Sequence, residues 1–265
     1  MNKGMYARIF QVDAFTSRPF AGNPAAVLLL EAFPADSDLQ AIAEENNLAE
    51  TAFLVPDGSD YRIRWFTPTV EVPLCGHATL ASAAVVMERL EPDRDSVVFK
   101  SASGPLAVCR TGRGYVMDFP ARPCEPAAPP EGLAEALGAP LQEIEWDGFN
   151  FLVRLESAEV VRALSPDLAA IGRMPAAGII VTASGDEVYD CVSRYFAPAK
   201  GIPEDPVTGG AHCALTPFWS ARLGKIELRA FQASARGGEL TCRLRGARVE
   251  LEGSCVFYLE GAMQW

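Results

Sequence analysis

The sequence predicts an α+β protein built from two similar halves, each a mostly antiparallel sheet wrapped around one central helix. Three observations predict it. The stretch RWFTPTVEVPLCGHA at 64–78 recurs in altered form at 194–211 as RYFAPAKGIPEDPVTGGA. Each copy runs from an aromatic strand through a Pro-limited loop to a glycine turn and an apolar, helix-forming run. A Pro-rich piece, FPARPCEPAAPP, lies between the copies and reads as a stiff linker over 119–130, flanked by halves at 1–118 and 131–265.

The repeat is specific in its spacing. Arg64, Phe66 and Pro68 match Arg194, Phe196 and Pro198 at an offset of 130, and Pro73, Gly76 and Ala78 match Pro206, Gly209 and Ala211 at 133. The second copy thus carries a three-residue insertion before its glycine turn. A glycine turn that opens a helix leaves the first N–H groups unpaired and aims them, with the helix dipole, at whatever lies in front. Two such turns facing each other across a pseudo-twofold axis would suit a small carboxylate. Taken singly they are only helix starts; Cys75, His77 and Asp205 at their edges favour chemistry.

In chain order, 6–13 reads as a strand, and Asn23 stands between Gly22 and Pro24 before a second strand, AVLLL. Asn23 is either a turn residue or a ligand contact. Residues 36–46 place Leu39, Ile42 and Ala43 on one helical face. LAETAFLVP is the next strand, with Glu50 among Ala49, Ala52 and Phe53, a half-buried setting suited to a carboxylate that holds and releases a proton. Tyr61–Phe66 leads into the first glycine turn, whose helix is expected from Ala78 to about Arg89. Strands SVVFKS, PLAVCR and GYVMDF follow, the last two joined by the hairpin TGRG. Gly112 and Gly114 are no nucleotide fingerprint, since no helix follows them. The second half repeats the order: a short helix (EGLAEALG), strand NFLVRL, a helix over 159–171, strands GIIVTA and YDCVSRYF, a helix from about His212 to Leu223, and closing strands to the C-terminus.

Composition narrows the function classes. The 34 acidic against 23 basic side chains give a net charge of −11, which disfavours nucleic acid and anionic membrane surfaces as partners. No apolar run is long enough to span a bilayer, and MNKGMYARIF lacks the apolar core of a signal peptide, so a cytoplasmic protein is expected. Seven cysteines, odd in number and without a C-x-x-C pair, indicate reduced thiols rather than a disulfide or zinc framework.

Four stretches, FQVDAFTSRPFAGNPAAV at 10–27, NLAETAFLV at 47–55, the 64–84 segment and RYFAPAKGIPEDPVTGGAHCAL at 194–215, together resemble the PhzF-like family of phenazine-biosynthesis proteins, whose fold is that of diaminopimelate epimerase. The resemblance covers essentially the whole chain. It implies a cofactor-free isomerase and a homodimer whose two halves close on a small carboxylic acid. It carries the proton-moving glutamate onto Glu50, the histidine of CGHA onto His77 and the aspartate of EDPVTG onto Asp205. Gly76 and Gly209 would hold the substrate carboxylate, with Asn23 at the cleft and Cys75 beside it. One departure stands out: Gly210 occupies the place of a family serine, so a hydroxyl expected to touch the substrate is missing.

The residues leave rivals open. A racemase could use Cys75 and Asp205 as two bases. Cys75 with His77, or His212 with Cys213, suggests a metal, although adjacent helix residues point about 100° apart and no metal is expected. A non-catalytic small-molecule binder would also keep the cleft.

Overall fold

The computed structural model describes residues 6–265. The chain divides into two compact units, one of residues up to Asp118 with Glu252–Trp265, the other Phe119–Leu251.

The first unit contains β1 (Tyr6–Ala14), β2 (Asn23–Leu29), α1 (Asp36–Asn46), β3 (Glu50–Asp57), β4 (Asp60–Phe66), β5 (Glu71–Val72), α2 (Gly76–Val85), β6 (Ser96–Ser101) and β7 (Gly104–Thr111), with β8 (Gly114–Pro120) at its end. Most of its strand pairs are antiparallel. The exceptions are β2 with β3 and β4 with β6, each joined by a helical crossover through α1 or α2. The second unit holds β9 (Glu125–Pro126), α3 (Leu133–Leu137), β10 (Glu143–Trp146), β11 (Asn150–Arg154), α4 (Ala158–Ala163), α5 (Leu168–Ile171), β12 (Gly178–Ser184), β13 (Cys191–Phe196), α6 (Gly209–Leu223), β14 (Glu227–Gln232) and β15 (Gly238–Arg245), then β16 (Arg248–Gly253). Its parallel pairs are β11 with β12 and β13 with β14, again crossed over by helices. The repeat seen in the sequence is therefore a repeat of topology.

α2 is the central helix of its unit. Every residue from His77 to Val85 is buried, and the helix packs against β1, β2 and β3. An all-round apolar helix is stable only when enclosed. Its two hydroxyls are satisfied internally: Thr79 Oγ1 donates to the Cys75 carbonyl at 2.6 Å and Ser82 Oγ to that of Ala78 at 2.7 Å. The helix begins at Gly76, earlier than the expected Ala78, and passes into a wider π turn over Val86–Leu90.

Three expectations are corrected. The last strand, β17 (Cys255–Gln264), belongs to the first unit, because it pairs antiparallel with β1 along Tyr6–Ala14; the half expected over 131–265 loses its C-terminus. The Pro-rich 119–130 is part of the second unit rather than a linker. Pro217 inside α6 has no N–H for the Cys213 carbonyl, and the Arg122 N–H takes that carbonyl at 2.9 Å. Further along, Glu125 and Pro126 pair with β10. The helix expected over 159–171 is two, α4 and α5, because Pro166 cannot continue α4; Ser157 and Asp167 cap the two pieces.

Among the described residues no helix is long and apolar enough to cross a membrane.

Candidate active site

In the first unit, strand register decides what meets what. β2 and β3 run parallel with Ala25 beside Glu50, so both strands start at one edge of the sheet. β4 runs antiparallel to β3 with Phe66 opposite Thr51, so β4 ends at that same edge. α2 begins a short loop later. Asn23 at the head of β2, Glu50 at the head of β3, and Cys75 and His77 around the start of α2 are therefore delivered to one place.

They come together there. His77 Nε2 lies 3.0 Å from Glu50 Oε2, Nδ1 lies 3.1 Å from Asn23 Nδ2, and Cys75 Sγ stands 3.5 Å from Nδ1. The carboxylate sits beside the imidazole and off the N–H axis, an ion-pair contact rather than a linear hydrogen bond. Asn23 is fully buried, and Glu50, Cys75 and His77 are 8 %, 6 % and 5 % exposed. With the Asn23 nitrogen toward Nδ1, the neutral ring carries its proton on Nε2, on the Glu50 side; in the charged ring both nitrogens are donors, and the amide presents Oδ1 to Nδ1 instead. Burial opposes charge on His77, but the Glu50 carboxylate beside it outweighs burial and holds the imidazole well above its ordinary value. Burial, and then the charge of Glu50, push the Cys75 thiol up to about 11. The thiol is thus protonated near neutrality.

The loop before β2 fixes Asn23. Gly22 has φ +66°, and a Cβ there would stand 2.1 Å from the Ala14 carbonyl oxygen, so only glycine fits. Asp13 Oδ2 accepts from the Phe20 N–H at 2.9 Å and ties the loop to β1.

The second unit holds Asp205, Gly209 and Gly210. Thr208 Oγ1 donates to Asp205 Oδ2, and the Asp205 N–H reaches the Tyr195 carbonyl at 3.1 Å. Buried Gln232 organises the turn: its Oε1 accepts from the Thr208 N–H at 2.8 Å and its Nε2 donates to the Asp205 carbonyl at 2.7 Å. Gly209 is buried at the first position of α6, and Gly210 is exposed, with open space where a Cβ would go. His212 is wholly buried, donates from Nδ1 to the Thr208 carbonyl at 2.8 Å, and burial lowers its pKa to about 4. Among the described residues His212 and Cys213 belong to no group of three possible metal ligands.

Matching the two strand registers shows that the scaffold is repeated and the Glu50, Cys75 and His77 cluster is not. Phe66 faces Thr51 as Phe196 faces Ile179, so the counterpart of Glu50 is Gly178. That position has no room for a carboxylate, since a Cβ on Gly178 would meet the Tyr195 hydroxyl at 2.5 Å. The counterparts of Cys75 and His77, at the offset of 133, are Thr208 and Gly210.

The glutamate partners of the two repeated arginines, and one glutamine, escape the sequence reading. Arg64 clamps Glu71 through Nε and Nη2 at 2.7 and 2.6 Å, and Arg194 clamps Glu204 at 2.7 and 2.9 Å. Glu71 and Glu204 differ by 133, so the clamp spans the insertion, and the signal E-x-P was present in both copies. Each clamp fastens the loop that leads to a helix start. Gln232 carries no such signal, because it reaches the turn from β14.

As possible metal ligands, Glu50, Cys75 and His77 each offer a donor atom, all within 4.8 Å of one another.

Comparison with known proteins gives a consistent picture. A family model described as phenazine biosynthesis-like protein matches residues 12–261. An uncharacterized isomerase of Pseudomonas aeruginosa is 52 % identical over 261 residues, covering 98 % of this chain and 99 % of the relative. The crystal structure of a PhzF-family phenazine biosynthesis protein from Enterococcus faecalis superposes with a TM-score of 0.95 at 42 % identity, covering 98 % of this chain and 99 % of that one. A hydroxyproline epimerase from Agrobacterium vitis shares the fold alone, with a TM-score of 0.62 at 12 % identity over all of this chain and 94 % of its own.

Proposed function

The chain belongs to the phenazine biosynthesis-like (PhzC-PhzF) family, and on that premise we propose that it is an isomerase that moves a proton between carbons of a small carboxylic acid, without a cofactor, using Glu50 as the proton carrier. The observation that supports this reading is the buried Glu50–His77 pair, 3.0 Å apart, at the sheet edge where α2 begins. A carbon acid next to a carboxylate needs a base near its C–H, a place for the negative charge, and an acid at the new position. Glu50 serves first as base and then, carrying the same proton, as acid. His77, with its proton on Nε2, faces the carboxylate throughout and steadies whichever form Glu50 is in. The first N–H groups of α2 supply positive potential for the enolate-like charge. A substrate bearing its own carboxylate brings the anion that such a helix end attracts, which an acidic protein cannot do through its overall charge.

A racemase with Cys75 and Asp205 as its two bases is the rival of the same fold, and the state of Cys75 argues against it, as it does against a pair of thiol bases. Cys75 is protonated near neutrality, its counterpart is Thr208, and Cys213 is buried within α6. In this reading Cys75 packs beside His77 and takes no proton from substrate. Cytoplasmic location and a homodimeric state are part of the same proposal.

The experiment is deuterium wash-in from D2O, followed by proton NMR, over a panel of cyclic unsaturated amino acids and simple L-amino acids. Exchange that survives Cys75→Ala supports the one-carboxylate isomerase. Exchange that vanishes in that variant would replace it with the thiol-base reading, and binding of a panel member without any exchange would identify a binder.

A further inference from the structure

We infer that Glu50, Cys75 and His77 form a binding site for a thiophilic divalent cation such as Zn2+, and that an ion held there blocks the site. The donor chemistry is a thiolate, an imidazole and a carboxylate, the mixed N, S and O set that zinc accepts. The distances suit one ion. Nε2 stands 3.0 Å from Oε2 and 4.0 Å from Sγ, with all donors within 4.8 Å. A tetrahedral ion with bonds of roughly 2.0–2.3 Å needs donors about 3.3–3.7 Å apart, so closure requires side-chain adjustments of about an ångström or less, within reach of Glu50's rotatable stem. The fourth position would remain for water or a substrate carboxylate, as in zinc sites with three protein ligands.

The surroundings complete the site. A metal-bound imidazole needs a partner on its other nitrogen to fix the tautomer. Asn23 already stands 3.1 Å from Nδ1, and turning its amide over presents Oδ1 to an Nδ1–H. Binding then balances as follows: the thiol proton and the Nε2 proton of the charged ring leave to solvent, Nδ1 keeps its proton and donates it to Asn23 Oδ1, and the ion takes Sγ, Nε2 and the carboxylate oxygen. No electron is transferred. The second unit offers no equivalent, because its matching positions are Thr208, Gly210 and Gly178. One ion per chain follows.

Because the ion would occupy the carboxylate that the proposed isomerase needs, Zn2+ would inhibit proton exchange; that consequence rests on the functional reading, whereas binding does not. The test is therefore spectroscopic. The whole chain, reduced and under anaerobic conditions, is titrated with Co2+ and followed by thiolate-to-cobalt charge transfer and the visible bands of a tetrahedral site. The wild type is expected to saturate at one ion per chain and to lose the bands when Zn2+ is added. Cys75→Ser should abolish the charge-transfer band. His77→Gln, which keeps every thiol, and Glu50→Gln should each weaken affinity ~10-fold or more. Cys109→Ser, which removes the exposed thiol, should change nothing. No band in the wild type at millimolar Co2+, or a band undiminished in both Cys75→Ser and His77→Gln, would overturn the inference. Inhibition without these spectral changes would overturn it as well.

Discussion

Replacing Arg194 by alanine removes a clamp whose loss the two-copy architecture lets us size against an internal control. Arg194 makes two hydrogen bonds to Glu204 and donates through Nη1 to the carbonyls of Leu164 at 2.7 Å and Val161 at 3.3 Å, so it also closes the C-terminal end of α4. Its side chain is 11 % exposed and that of Glu204 is 22 %. Removing one partner of a well-buried ion pair costs about 3–5 kcal/mol; partial rehydration of Glu204 lowers that, and two carbonyls losing a donor add about 1 kcal/mol, giving about 3 kcal/mol. Arg64 makes the same clamp to Glu71 and reaches Asp36, but those side chains are 41 % and 78 % exposed. Its loss should cost about 1 kcal/mol, the range of exposed pairs. The assay is urea unfolding of both alanine variants, read by tryptophan fluorescence, with amide hydrogen exchange of α4 as the local probe. Arg194→Ala should be the costlier variant by about 2 kcal/mol and should speed exchange in α4. Equal costs, or a costlier Arg64→Ala, would refute the reasoning that burial and the α4 carbonyls set the difference.

Three further outcomes follow from single residues. The two histidines should shift in opposite directions, His77 titrating above the ordinary histidine value and His212 staying neutral down to about 4, as 15N NMR of the imidazoles would resolve. Their effects on stability have opposite signs. The folded state holds the His77 proton more tightly than an unfolded histidine near 6.5, so the stability it contributes is full below that pH and is lost as pH rises through the raised folded value. His212 contributes above about 6.5 and loses its contribution as pH falls toward about 4, so the wild type and His212→Gln should converge in acid. Gly22→Ala should destabilise by about 3 kcal/mol, from left-handed strain and backbone overlap, whereas Gly210→Ser, at an exposed position with open space, should stay within about 0.5 kcal/mol in the same unfolding assay. In timed alkylation at pH 8 followed by peptide mass spectrometry, exposed Cys109 should react well before buried Cys75, whose thiol is held up to about 11; a fast Cys75 would revive the thiol-base reading.

What was legible in the sequence was local and repeated. The duplicated Arg-aromatic-Phe-x-Pro and Pro-x-x-Gly-x-Ala marked the strand ends and helix starts that the structure shows, and the burial of Glu50 among Ala49, Ala52 and Phe53 was readable from its neighbours. What was not legible was long-range. β17 returns to β1 across nearly the whole chain, and its own residues carry no sign of that partner. The Pro-rich segment was misread for a related reason: its prolines announce an irregular backbone, but the carbonyl it satisfies was freed by Pro217, far along the chain. The Arg–Glu clamps lay between these cases. Their partners shared the offset of the glycine turns, and only the exposed-looking composition of the loops concealed them.

The central claim is that one carboxylate carries the proton. It is tested most directly by deuterium wash-in on a substrate found with the wild type, repeated with Glu50→Gln, which keeps the side chain's shape and contact with His77 while removing its basicity. The account predicts a fall in exchange of about 10²–10⁴-fold with melting and ligand binding retained. Exchange within a factor of a few of the wild type would contradict it.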